Sequence, residues 1–559
     1  MDIRRTVLWA IFGFSLLMLW QNWQLANPKA AAPGHTAQQS TASNAVPGAP
    51  APLPGVPGAT ADAAAPAAAA AAVRGEKIRI TTDLLAIDID TLGGALVRAE
   101  LLQQKEDNGG KGNIVLFDQS SARSYEAQSG LVGPAGAPNH RSLYRVVRGG
   151  VASGAATPAR TLEAGQDTLD VVLEAEGAGL KDRLTYTFKR GSYAIDVRHE
   201  VTNQQAQAVT TALYLQLVRD NSKPEGESSF YSTYTGPALY TEKDKFLKVG
   251  FDEIEKGKAK ENKQVAANAP AWVGMVQHYF VSAWVPEVQR AREIYTEKID
   301  NLYRAGITQS LGELAPGATV KMAAKLYVGP QDQDALSQLA PGLDGVVDYG
   351  LLTFLAKPIF LLLQWFYNIV GNWGWAIILL TVLIKLAFYP LSAAGYKSMA
   401  RMKNVTPRLQ ALKERHKDDK AKMQQAMMDL YREEKINPMG GCLPILIQIP
   451  VFIALYWVLL ASVEMRGAPW LGWIHDLAAP DPFYILPLVM MASMVLQFKL
   501  NPTPPDPIQA KMMMIMPLVF GVMFFFFPAG LVLYWVVNNI LSIAQQWRIN
   551  TQLVKAGLK

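Results

Sequence analysis

The chain has 559 residues, half of them hydrophobic, with 18% charged residues, a formal net charge of +6 and a single cysteine. Soluble domains carry about a quarter charged residues, so this balance speaks against a purely soluble enzyme and for membrane spans. Cys442 alone closes no intrachain disulfide and offers no thiolate pair for zinc, and the positive charge is unevenly placed. Gly350 to Lys559 hold 19 of the 53 Lys and Arg but only 10 of the 47 Asp and Glu, a net of +9 against −3 upstream.

Residues 1–25 begin with Arg4 and Arg5, followed by an apolar run from Val7 to Trp20. A signal peptide and an uncleaved transmembrane anchor both fit; Trp9, Trp20 and Trp23 at the ends of the run suit membrane interfaces and favour the anchor. Residues 26–75 are almost wholly Ala, Pro, Gly, Thr and Ser, too polar and too poor in large side chains to offset ordering entropy. They read as a disordered linker.

Residues 76–345 switch to period-two alternation punctuated by Gly, Pro, Asn and Asp. Leu84 to Asp90, Thr168 to Glu174, Arg183 to Lys189, Tyr193 to Val201, Ala212 to Val218 and Met322 to Val328 are read as strands of one large all-β sandwich. His278 lies near Trp272 and Trp284; a lone histidine among aromatics in a strand reads as structural rather than as part of an active site.

Residues 346–371 are apolar but contain Lys357 and Pro358, and are expected to form an interfacial amphipathic helix leading into the second span. Residues 372–559 then carry five expected spans, at about Trp373–Leu391, Cys442–Ser462, Phe483–Leu500, Met512–Phe527 and Leu531–Trp547. Several are shorter than the roughly 20 residues a typical hydrocarbon core requires, which implies local bilayer thinning. The loop from Lys397 to Lys435 holds 11 basic residues, whereas Val463 to Pro482 has only Arg466. The positive-inside rule therefore puts the first loop and both termini in the cytoplasm and the β domain outside, in a bacterial periplasm. Residues 396–436 are expected to form a helical hairpin with Leu409, Leu412, Met423, Met427 and Leu430 along its seam. Arg401, Lys403, Arg408, Lys413, Arg415 and Lys417 line its basic exterior, which either sets topology alone or docks an anionic partner such as lipid headgroups or ribosomal RNA.

Lys385 is the residue out of place. It lies inside an apolar span, where charge is expensive, although a lysine five residues before Pro390 can also snorkel to headgroups. Its company favours a functional role. Thr381 is one turn away, Asn538, Ser542 and Gln545 recur along one face of the last span, and Gln448 sits inside the third. Each amide or hydroxyl alone is explained by interhelical hydrogen bonding; together with a lysine they point to a water-accessible cavity. The hydrophobic region holds no phosphate-binding loop, no metalloprotease motif and no nucleophile elbow, so neither catalysis nor energy coupling is expected, and no cofactor or metal is implied.

Two motifs carry a family resemblance. Asn437-Pro-Met-Gly-Gly-Cys-Leu-Pro-Ile-Leu-Ile-Gln-Ile-Pro450 and Phe527-Pro-Ala-Gly-Leu-Val-Leu-Tyr534 resemble the openings of the third and last spans in YidC-type membrane protein insertases, the YidC/Oxa/Alb family. The β domain behind one N-terminal span is similar to the Gram-negative form. The resemblance implies a polytopic α-helical membrane protein with six spans, a five-helix core around a cytoplasm-open polar groove, and a periplasmic super-sandwich resembling galactose mutarotase. It further implies passive insertion and folding of nascent inner-membrane proteins, alone or with the Sec translocon, and contact of the hairpin with ribosomes or targeting factors. Lys385 falls where Gram-negative members usually have arginine, and Trp535 where tyrosine is more usual. Thr381, Lys385, Gln448, Ile449 and Trp535 match groove or substrate-contact positions, Ile449 and Trp535 being the substrate-contact candidates. The alternative class is a transporter using the same cavity for a small anion, which predicts repeated or discontinuous spans.

Overall fold

The computed structural model describes residues 75–106, 112–148, 159–224, 233–257, 262–416, 419–433, 443–500, 515 and 521–555. The expected N-terminal anchor, the linker to residue 74, residues 437–442 of the Asn437–Pro450 motif with Cys442, Lys417 and half of the expected Met512–Phe527 span lie outside these residues.

The alternating segments form two sheets, one of 11 strands and one of 9 among the described residues. Pairing is antiparallel throughout except for Lys77–Thr81 against Ala159–Thr161. The sequence fixes each face through its period. Leu180–Lys189 buries Leu180, Leu184, Tyr186 and Phe188 while the intervening residues stay more accessible. Val209–Arg219 and Thr319–Pro330 extend past the expected limits at both ends, Thr168–Gly177 and Leu180–Lys189 at one end, and the strand expected from Tyr193 runs Ala194–Asn203. Gly177 pairs with Leu180 across a two-residue turn in which Ala178 and Gly179 both have positive φ, 49° and 64°, the geometry that matches strand twist.

The sheets pack face to face over one core containing Phe117, Tyr125, Leu173, Phe188, Leu217 and Trp284. Buried polar groups stitch the layers together. The Trp284 indole donates to the Gln216 carbonyl at 3.1 Å, and Trp272 donates to that of Pro341 at 3.1 Å, so both indoles are buried and satisfied. His140 sits against Tyr214, and burial first, then Arg141 and Arg304, pushes its pKa down to about 4.

The chain then becomes helical. After α1 (Phe251–Glu255) and α2 (Gln333–Leu339), α3 spans Thr353–Val370 and α4 spans Trp373–Ala387. Gly371 closes α3 in a left-handed conformation and Asn372 caps α4 by accepting from the Trp375 N–H at 3.2 Å. Tyr367 stacks on Trp373 across this link, ring centroids 4.1 Å apart. The expected span to Leu391 does not run straight: α4 ends at Ala387, and α5 (Tyr389–Arg415) leaves at 62°. Pro390 explains the break, because it sits in the first turn of the new helix, where no amide donor is needed.

Helix α6 (Lys420–Glu433) folds back on α5 around Val405, Leu409 and Leu430, with Leu412, Met427 and Tyr431 beside them. Val405 and Tyr431 join the seam, whereas Met423 is not among its packed residues. The remaining helices are α7 (Leu443–Ala461), α8 (Ile485–Leu500) and α9 (Ala529–Lys555). Among the described residues α3 alone is long and apolar enough to cross a membrane by itself, and α4 with the start of α5 passes as a bent pair. Helix α3 packs Ala356, Ile359, Phe360 and Leu363 inward and leaves Phe354, Leu361, Trp365 and Ile369 exposed on the opposite side. That is an apolar outer face, such as lipid would cover.

The helices share a second core, with Ala376, Leu380, Ala454, Val458, Met490, Val532 and Tyr534. Gly374 lets Trp470 lie on the backbone of α4; a Cβ there would stand 2.1 Å from the indole. The β domain meets this assembly at a built joint. His278 Nε2 donates to the Leu460 carbonyl at 3.0 Å, Gln333 donates to the Tyr349 hydroxyl at 2.6 Å, and Lys357 pairs with Asp344 at 2.6 Å. Arg466 bonds Gln104 and the Lys105 carbonyl and lies 5.4 Å over Phe280. Beside it Glu464 is pushed up to about 7, by burial first and then by the charges of Asp332 and Asp334, against a hydrogen bond from the Gln333 backbone.

Candidate functional site

Helix α9 carries the polar positions that matter, and its neighbours decide what each one does. Lys385, on α4, donates to Ser542 Oγ at 2.8 Å, and Ser542 in turn donates to the Asn538 carbonyl at 2.7 Å. Gln448, on α7, donates to Asn538 Oδ1 at 2.9 Å. Two separate helices thus converge on two residues of α9. Among the described residues Lys385 has no carboxylate partner, so its ammonium is held by a neutral hydroxyl.

Gln545 is more distant, reaching the Tyr389 carbonyl at 3.4 Å where α5 begins. Thr381 is 1% exposed and donates to Ile377 of its own helix at 2.6 Å. It packs one turn from Lys385 without joining the network. Ile449 is 42% exposed beside Gln448, and Trp535 packs edge-on against Phe452 with centroids 4.6 Å apart. The buried Trp535 indole N–H has no partner among the described residues, which leaves a donor next to an apolar surface.

Sequence reasoning missed the other polar face of α9. Asn539 donates to Ser493 Oγ on α8 at 3.2 Å, Ser493 donates to the Met490 carbonyl at 2.7 Å, and Gln546 reaches the Leu500 carbonyl at 3.4 Å. The signal was present: Asn539 and Gln546 are seven residues apart, each one step beyond a residue of the Asn538, Ser542, Gln545 stripe. These amides bond helix to helix, which is the ordinary use of polar groups in such packing.

In the hairpin, Arg408 and Arg415 are exposed on α5, the helix that also carries Arg401, Lys403 and Lys413. Among the described residues no group of three or more His, Cys, Asp or Glu is arranged to hold a metal ion.

The architecture is that of a membrane protein with a large β-sandwich domain ahead of its helical core. Residues 77–362 match the family model described as the YidC periplasmic domain, and residues 365–556 match the 60Kd inner membrane protein model. A Cupriavidus metallidurans protein named membrane protein insertase YidC is 58% identical, covering 99% of this chain and 98% of that protein. Proteins of the same name from Ralstonia nicotianae and Bordetella pertussis are 53% and 54% identical with the same coverage. A solved structure of an active YidC insertase with its first transmembrane domain resolved covers 84% of this chain and 94% of that one, at 17% identity and a TM-score of 0.39. The chain belongs to the YidC family; its β sandwich is the periplasmic domain, and its helical part lies at the inner membrane.

Proposed function

We propose that this chain inserts nascent membrane proteins by receiving their polar segments at Lys385 while their apolar segments pass along α7 and α9 into lipid. As a family member it is a membrane protein insertase and not an enzyme. The observation that carries the reading is the isolated ammonium: Lys385 sits among Ser542, Asn538 and Gln448 and is paired with no acid among the described residues. An incoming acidic tail supplies the missing counter-charge, and a polar lining shortens the passage of polar backbone through hydrocarbon. Burial of the substrate's apolar segment, at roughly 25 cal/mol per Å2, drives the step without a nucleotide.

In this reading Gln448, Asn538, Ser542, Gln545 and Thr381 line or support a groove open to the cytoplasm, and Ile449 and Trp535 touch the substrate. The core has five spans and the chain six, with both termini cytoplasmic. The hairpin, through Arg401, Lys403, Arg408, Lys413, Arg415 and Lys417, meets ribosomes, targeting factors or anionic lipid, and the protein also works beside the Sec translocon and helps its clients fold. Positive loops on one side and the basic composition of the hairpin support that orientation.

The test is to deplete the protein in cells and supply Lys385→Glu. Insertion of short membrane proteins with acidic tails falls at least about tenfold if the charge acts as described, because a like charge replaces an opposite one. Unchanged insertion sinks the charge role. Photo-crosslinkers placed at Ile449 and Trp535 capture labelled nascent chains; flux of a small anion without such crosslinks favours a transporter instead.

A further inference from the structure

The joint between the β domain and α7 encloses a cleft that the insertase reading leaves unused. Its walls are Thr233, Tyr234, Gln277, Asp348 and Trp457 with the last turn of α7, and it contains about 420 Å3 of empty space, open mouth included. Gln277 is 6% exposed, and its side-chain amide nitrogen is buried without a hydrogen-bond partner. The Thr233 hydroxyl is buried as well, and neither group has a partner among the described residues. Buried donors of this kind are rare in folded proteins and call for a ligand or ordered water.

The charges around the cleft define what fits. Lys248 pairs with Asp348, and its ammonium lies 5.0 Å over the Tyr234 ring. The Gln277 amide and the Thr233 hydroxyl suit a phosphate, which can take over the Lys248 ammonium that Asp348 holds beside the cleft; the Asp348 carboxylate so released and the Trp457 ring suit an ammonium. The site thus presents both halves of a zwitterion. Position selects a lipid over a soluble ion. One wall is the end of a helix of the membrane core where it meets the periplasmic domain, and the chain enters α3 just after Asp348, with Phe354 76% exposed in its first turn.

We propose that this cleft binds the phosphoethanolamine headgroup of an outer-leaflet phospholipid, whose tails lie against the exposed apolar face at the start of α3. The β domain is then seated on the membrane through a bound lipid as well as through the chain.

Full-length protein in phosphatidylcholine nanodiscs doped with phosphatidylethanolamine tests this by native mass spectrometry after delipidation. The expected result is selective retention of phosphatidylethanolamine, weakened about tenfold by Gln277→Leu and by Asp348→Asn, the scale of one lost hydrogen bond to a charged group. Asp348 is partly exposed, so its variant decides the matter even where Gln277→Leu fails to fold. Equal retention of phosphatidylcholine, retention unchanged in folded Asp348→Asn, or full displacement of the lipid by inorganic phosphate would each overturn the proposal.

Discussion

The β domain and the helical core both bury polar side chains, and they do so to opposite ends. In the β domain Ser129, His199 and Asp182 stand in the order of a hydrolase triad, with His199 Nε2 3.0 Å from Ser129 and Nδ1 2.9 Å from Asp182. All three are at most 1% exposed, and Tyr144 closes the Asp182 side with a further bond of 2.9 Å. No substrate reaches them; they join strands of the two sheets. In the core, Lys385 is only partly buried, held by one hydroxyl and without an acid among the described residues. Residue type therefore says less about function than whether a polar group's partners are already all present.

Crossed substitutions put that contrast at risk. Asp182→Ala removes one partner from a closed, buried network and should cost about 3–5 kcal/mol in urea unfolding of the β domain, with insertion changed only through protein level. Lys385→Glu should do the reverse, leaving β-domain unfolding untouched. Should Asp182→Ala in folded protein abolish insertion as well, the division between the regions fails.

Acid separates the regions by sign. The folded pKa of His140, about 4, lies below its usual 6.5, so the unfolded chain takes up the proton first. The β domain should lose up to about 3 kcal/mol as pH falls from 6.5 to 4, and His140→Asn should flatten that slope in hydrogen exchange. Glu464 is raised from 4.5 to about 7, so its contribution is fully present below 4.5 and is lost as pH rises toward 7. Protection at Gln333–Leu339, beside the joint, taken relative to the intrinsic exchange rate at each pH, should therefore fall on going from pH 5 to 8, by up to about 2 kcal/mol, and Glu464→Gln should remove that fall.

The smallest effects concern neutral bonds. Asn539→Leu should cost about 1 kcal/mol in helix packing without altering insertion. Lys385→Arg should be nearly silent in the same cellular assay, since the charge is kept and Ser542 accepts from either head.

The strands were legible because one buried face imposes a period of two over each segment, as in Leu180–Lys189. Their ends were less so, since pairing continues past the last large side chain. The break at Phe388 was hidden because a proline reads alike as the end of one helix and the start of the next. At the site, Lys385, Gln448, Asn538 and Ser542 stood out by being polar where neighbours are apolar. The role of His278 did not, because its partner Leu460 is 182 residues away and is a backbone carbonyl, which carries no sequence signature.

Helix α9 has 27 residues, about 40 Å of rigid rod against a hydrocarbon layer of about 30 Å. Its N-terminal end is pinned: the amides of Ala529 and Gly530 donate to the carbonyls of Ala479 and Leu477 at 2.7 and 2.9 Å. The polar stripe of Asn538, Ser542 and Gln545 therefore stands on a helix whose beginning is fixed by main-chain bonds, while Lys385 and Gln448 hold its middle.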